Sequence, residues 1–149
     1  MCSAERAGQV LDQSVSEVLE TMCFAFPEGP LDAALAPVGE DAIDAEIRFC
    51  GHAAGAFHLR VGPQAAWELA SSFLGTDAGE LEEGRMVDAV REIANMICGS
   101  ALSALEADQS FELSEPSATA GEFSGLGHCY ALEQGYVEAV LELEPAEVA

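Results

Sequence analysis

The chain has 149 residues, half of them apolar, and carries 27 acidic residues against five arginines and no lysine, for a net charge of -22. That length fits a single domain able to bury its own core, and the apolar content excludes disorder throughout. The charge disfavours nucleic acid and anionic membranes as partners, and the missing lysine excludes a P-loop and a Schiff-base nucleophile.

No apolar run approaches the roughly 18–20 residues that a membrane span requires. The first residues, Met1-Cys2-Ser3-Ala4-Glu5-Arg6, lack the basic-then-apolar order of a signal peptide, so a cytoplasmic protein is expected. The five cysteines are odd in number and form no CxxC pair, which points to neither a disulfide framework nor a zinc ribbon. Cys50-Gly51-His52 and His128-Cys129 have no second pair at ligand spacing, so no metal site is expected.

Residues 5–25 read as a helix, with Leu11, Val15, Val18, Leu19 and Met22 at helical spacing and Pro27 closing the segment. A Pro-, Gly- and Ala-rich loop follows over 28–41. The period then falls to two. Ile43, Ala45, Ile47 and Phe49 alternate with polar residues, and after a turn at 51–55 so do Phe57, Leu59 and Val61. This predicts an antiparallel hairpin with one buried and one polar face, and puts His58 on the polar face as a surface histidine. Pro63 opens a short helix that Gly75 ends, with Trp67, Ala70, Phe73 and Leu74 as packing residues. Asp77-x-x-Glu80 resembles a capping box for a long helix over about 80–107. Phe111 and Leu113 mark a short strand, 127–133 and 136–144 a second hairpin around Gln134-Gly135, and the tail from Pro145 a loose end.

The order predicts an α+β domain: an antiparallel sheet with long helices packed on one face. One domain spans 1–149, with a faint repeat of helix plus hairpin in halves of about 5–62 and 80–144. Setting Thr21-Met22-Cys23 over Asn95-Met96-Ile97-Cys98 aligns the two long helices and puts Val18 on Glu92.

The long helix is amphipathic over 85–106. Met86, Val87, Val90, Ile93, Ala94, Ile97, Cys98, Ala101, Ala104 and Leu105 fall on one side; Arg85, Asp88, Glu92, Asn95, Gly99, Ser103 and Glu106 fall on the other. The polar side is poorly chosen for helix stability. Asp88 and Glu92 are like charges four apart, Asn95 is a mediocre helix former, and Gly99 costs about 1 kcal/mol relative to alanine. These weak choices share one stripe, and Gly99 leaves it bare enough for a partner's backbone to approach.

The stretch Met86-Val-Asp-Ala-Val-Arg-Glu-Ile-Ala-Asn-Met-Ile-Cys-Gly99 resembles the signature helix of the CheC/CheX/FliY phosphatases, most closely the CheX type. In that signature an Asp or Ser is followed by a Glu four residues on, an Asn three further, and a downstream Pro. Here these are Asp88, Glu92, Asn95 and Pro116, the last after a gap of twenty residues that is slightly shorter than usual. Ser100 stands where CheX proteins often have a second Asn. As in CheX, the first helix carries no second pair, since the aligned positions hold Val18 and Thr21.

The resemblance implies a CheC-like fold and a phosphatase that removes the phosphoryl group from the aspartate of a phosphorylated CheY-like response regulator. Such a receiver brings its own Mg²⁺ and its own Lys, so no cofactor of this chain is implied. What remains is placing the attacking water. An amide is no base, but it donates and accepts hydrogen bonds at once, which suits Asn95 to hold that water. Glu92 would grip the receiver's Lys through a charge-assisted bond. Asp88 and Gly99 are expected to contact the partner. A homodimer through the sheets is implied too. The alternative is a non-catalytic receiver- or switch-binding module on the same fold.

Overall fold

A computed structural model describes residues 4–27, 30–31, 42–51, 55–105, 111–113, 126–132 and 135–143. Pro116, Glu106, residues 32–41 and 52–54, and the residues from Pro145 onward lie outside the described residues. Among those described, three helices, α1 (Ala4–Met22), α2 (Pro63–Leu74) and α3 (Glu83–Leu105), accompany six strands. The strands are β1 (Pro30–Leu31), β2 (Ile43–Gly51), β3 (Gly55–Val61), β4 (Phe111–Leu113), β5 (Leu126–Leu132) and β6 (Gly135–Leu143).

The sheet is antiparallel at every pairing, in the order β1-β5-β6-β3-β2-β4. Two hairpins, β2–β3 and β5–β6, therefore meet along β3 and β6, where Phe57 pairs with Leu141 and Leu59 with Ala139. Alternation explains the layer beneath. Ala45, Ile47, Phe49, Phe57, Leu59, Val61, Val137, Ala139 and Leu141 share one face and are buried with the apolar sides of α1, α2 and α3 in one core. The fold is the predicted α+β arrangement. α3 packs on β2 and β3, α1 on β5 and β6, and α2 lies beside α3. Tyr130 of β5 ties α1 down by donating its hydroxyl to Asp12 at 2.5 Å.

Helix ends follow local chemistry. Gly75 takes a left-handed conformation (φ 67°) and its N–H returns to the Ser71 carbonyl, which closes α2. α1 stops at Met22, three residues short of the expected end at 25. Phe24 turns left-handed (φ 54°), and the N–H groups of Cys23 and Ala25 both reach the Leu19 carbonyl. α3 begins at Glu83 and not at Glu80. Glu80 N–H bonds to the Asp77 carbonyl at 2.9 Å within a 3₁₀ turn, and Leu81 then drops into the core. The capping-box residues thus close their own turn.

His58 is a correction. It points to the polar face as expected, yet it is only 6 % exposed. It sits on a central strand, between Glu46 of β2 and Val140 of β6 in register, with Nε2 3.4 Å from Glu142. Neighbours on both sides exclude water, which alternation along one strand cannot reveal. The same face carries Arg60, whose Nε donates to Asp44 at 2.7 Å and whose Nη1 lies 3.8 Å from Glu138.

Candidate functional site

α3 is amphipathic because its buried residues Met86, Ala89, Val90, Ile93, Ala94, Ile97, Cys98, Ala101 and Leu102 recur at helical spacing and face the sheet and the other helices. Two assignments on that side shift: Ala104 is exposed and Leu102 is buried. The opposite stripe holds the predicted site. Asp88 and Glu92 are exposed, and Asn95 and Gly99 are half-buried. At 1.5 Å per residue, Glu92 and Asn95 lie about 4.5 Å apart along the axis, and the stripe from Asp88 to Gly99 spans about 16 Å.

Burial of Ile93 and Ala94 between them fixes the two side chains of Glu92 and Asn95 on a rigid mount. The stripe is open to an approaching molecule at its far end. A Cβ added at Gly99 would meet nothing within 4 Å, so this chain's own packing does not require glycine there. Asp88 is held only loosely, with Oδ1 3.9 Å from Arg91 Nη1 and its side chain 78 % exposed.

A cleft of about 240 Å³ adjoins the stripe, between the last turn of α2 and the first turns of α3. Phe73, Leu74 and Ala89 line it together with Arg85, Asp88 and Glu92. The sequence marked Phe73 and Leu74 as packing residues, and they do touch the core, but both are half-buried. Their remaining surface meets α3 beside Glu92, a juxtaposition of two helices that no periodicity within either one reports.

α1 offers no second site of this kind. Val18 is buried, and Thr21 spends its hydroxyl on the Glu17 carbonyl at 2.6 Å. Ser100 lies on the flank of α3, 3.3 Å from Ser14 of α1. Cys23 and Cys98 are pushed up by burial from the ordinary thiol value of 9.0 to about 12, so neither is a thiolate at neutral pH. Among the described residues no three His, Cys, Asp or Glu side chains come together as a metal site, and no helix is long and apolar enough to cross a membrane.

The family described as chemotaxis phosphatase CheX matches residues 43–128, which contain the whole of α3. No curated protein matches the sequence. Solved structures share the fold. The chemotaxis protein CheX from Vibrio vulnificus is 21 % identical with a TM-score of 0.75, covering 97 % of this chain and 100 % of its own. A chemotaxis protein CheX from Desulfovibrio desulfuricans is 22 % identical with a TM-score of 0.70, covering 93 % and 99 %. The CheX–CheY–BeF₃–Mg²⁺ complex from Borrelia burgdorferi gives 16 % identity and a TM-score of 0.69, covering 92 % and 97 %. With more than half its residues matched and the sheet and helices shared from end to end, the chain belongs to the chemotaxis phosphatase CheX family.

Proposed function

We propose that this chain dephosphorylates a phospho-aspartyl receiver of the CheY type, in the cytoplasm, with Glu92 and Asn95 as its catalytic residues. The observation that carries the reading is their joint presentation: a carboxylate and an amide three residues apart on the solvent side of a helix whose other side is locked in the core. Family membership supports the reaction class. A relative of the same fold has been solved with CheY, BeF₃ and Mg²⁺, which supports the choice of partner.

In this scheme the receiver supplies the acyl phosphate, the Mg²⁺ and a Lys. α3 inserts its stripe against that centre. The Asn95 amide accepts from and donates to the incoming water and the phosphoryl group, holding the water in line with the P–O bond that breaks. Glu92 bonds the receiver's Lys and fixes the register of the inserted helix. Phosphate leaves, the aspartate is restored, and no covalent intermediate forms on this chain. Asp88 and Gly99 border the contact. A homodimer through the sheets belongs to the same proposal.

The test is loss of phosphate from a phosphorylated CheY-like receiver in the presence of Mg²⁺, with and without this protein. Acceleration that Glu92→Ala abolishes supports the phosphatase. Binding to the phosphorylated receiver without acceleration makes the chain a binding module instead.

A further inference from the structure

The cleft between α2 and α3 has a chemistry of its own. Its floor is apolar, from Phe73 and Leu74 at the end of α2 and Ala89 of α3. Its rim is charged, from Arg85, Asp88 and Glu92 on successive turns of α3. Its volume of about 240 Å³ falls below the roughly 300–1,000 Å³ of sites that hold small molecules or cofactors. One long side chain is the occupant of matching size.

The charges select which one. A wholly apolar side chain would strip water from the carboxylates of Asp88 and Glu92 and return no hydrogen bond. An acidic one would meet two carboxylates on a chain of net charge -22. A lysine or arginine satisfies both parts: its aliphatic stem lies on Phe73, Leu74 and Ala89 while its cationic head reaches Asp88. The aromatic ring of Phe73 is itself a favourable neighbour for a cation. Asp88 suits the role because it is largely exposed and its contact to Arg91, at 3.9 Å, is weak.

We propose that this cleft is a recognition pocket for one basic side chain on the receiver's surface, beside the phosphorylation site and distinct from the Lys that Glu92 grips. The inference rests on the phosphatase reading and extends it: Asn95 and Glu92 carry out the chemistry, and the cleft selects the receiver. Asp88 attracts the occupant, Phe73 and Leu74 cover its stem, and Arg85, one turn before Asp88 on α3, opposes it.

The experiment is steady-state dephosphorylation of a phosphorylated CheY-like receiver, with titration of the beryllofluoride-activated receiver alongside, for wild type, Asn95→Ala, Asp88→Arg, Arg85→Glu and Phe73→Ala. A basic occupant requires Asp88→Arg to raise KM and Kd about tenfold, the scale of one close charge pair, and Arg85→Glu to lower both. Phe73→Ala raises KM, and Phe73→Leu restores it. The two charge variants lie on exposed positions, so they test the pocket without touching the core. Opposite signs for Asp88→Arg and Arg85→Glu mean an acidic occupant and overturn the inference. Values of KM within twofold of wild type for all cleft variants, with Asn95→Ala inactive, overturn the pocket and leave the phosphatase standing. A wild type that neither binds nor dephosphorylates the receiver overturns both.

Discussion

Glu92 and Asn95 stand three residues apart on the outer stripe of α3, and the two residues between them, Ile93 and Ala94, are buried to 1 % exposure or less. The side chains that face solvent are therefore held by the ones that do not. Any rotation of α3 that moved the pair would have to draw Ile93 out of a packed core, which costs several kcal/mol.

Gly99 separates stability from function. Nothing lies within 4 Å of a Cβ placed there, so Gly99→Ala should stabilise the fold by up to about 1 kcal/mol. Under the proposed docking the same methyl group obstructs the partner. Thermal unfolding should show a raised Tm and receiver titration a weaker Kd. A Tm that falls would show that the helix needs glycine for its own packing.

The Tyr130–Asp12 bond links strand β5, next to the edge of the sheet, to α1 across 118 positions of chain. Tyr130→Phe should cost about 0.5–1.5 kcal/mol, or more with the Asp12 carboxylate as acceptor. Asp12→Asn combined with Tyr130→Phe should cost less than the sum of the two alone, as read from urea midpoints. Strict additivity would mean that the bond contributes nothing.

Alkaline pH should unfold the protein through its buried thiols. Burial raises Cys23 and Cys98 from 9.0 to about 12, so folding favours their neutral form. That contribution is fully present below pH 9 and is lost as pH rises toward about 12. Tyr130 is raised by burial and by its bond to Asp12, and it adds loss in the same direction. The urea midpoint should be level to pH 9 and then fall, and the Cys23→Ala, Cys98→Ala pair should reduce the slope. An identical slope in that variant would assign the alkaline loss elsewhere.

Much of this was legible in the sequence because it is local. Period-two alternation found β2, β3 and β6 and their inner faces, and helical spacing found the two sides of α3 with Asp88, Glu92, Asn95 and Gly99 on one stripe. What escaped is tertiary. His58 is on the polar face by alternation, and only the placement of β3 between β2 and β6 buries it. The meeting of Phe73 and Leu74 with Arg85, Asp88 and Glu92 depends on how α2 lies against α3. α3 starts at Glu83, later than the spacing predicts, because Asp77 and Glu80, spaced like a helix cap, bond through their backbones in a 3₁₀ turn.

The central claim is that Asn95 acts on the water and contributes little to holding the receiver. One measurement separates the two: the dephosphorylation rate of a saturating phosphorylated receiver by Asn95→Ala, set against that variant's Kd for the beryllofluoride-activated receiver. The account predicts a rate reduced by about a hundredfold or more, with Kd within a few-fold of wild type. A variant that dephosphorylates as fast as wild type would contradict it.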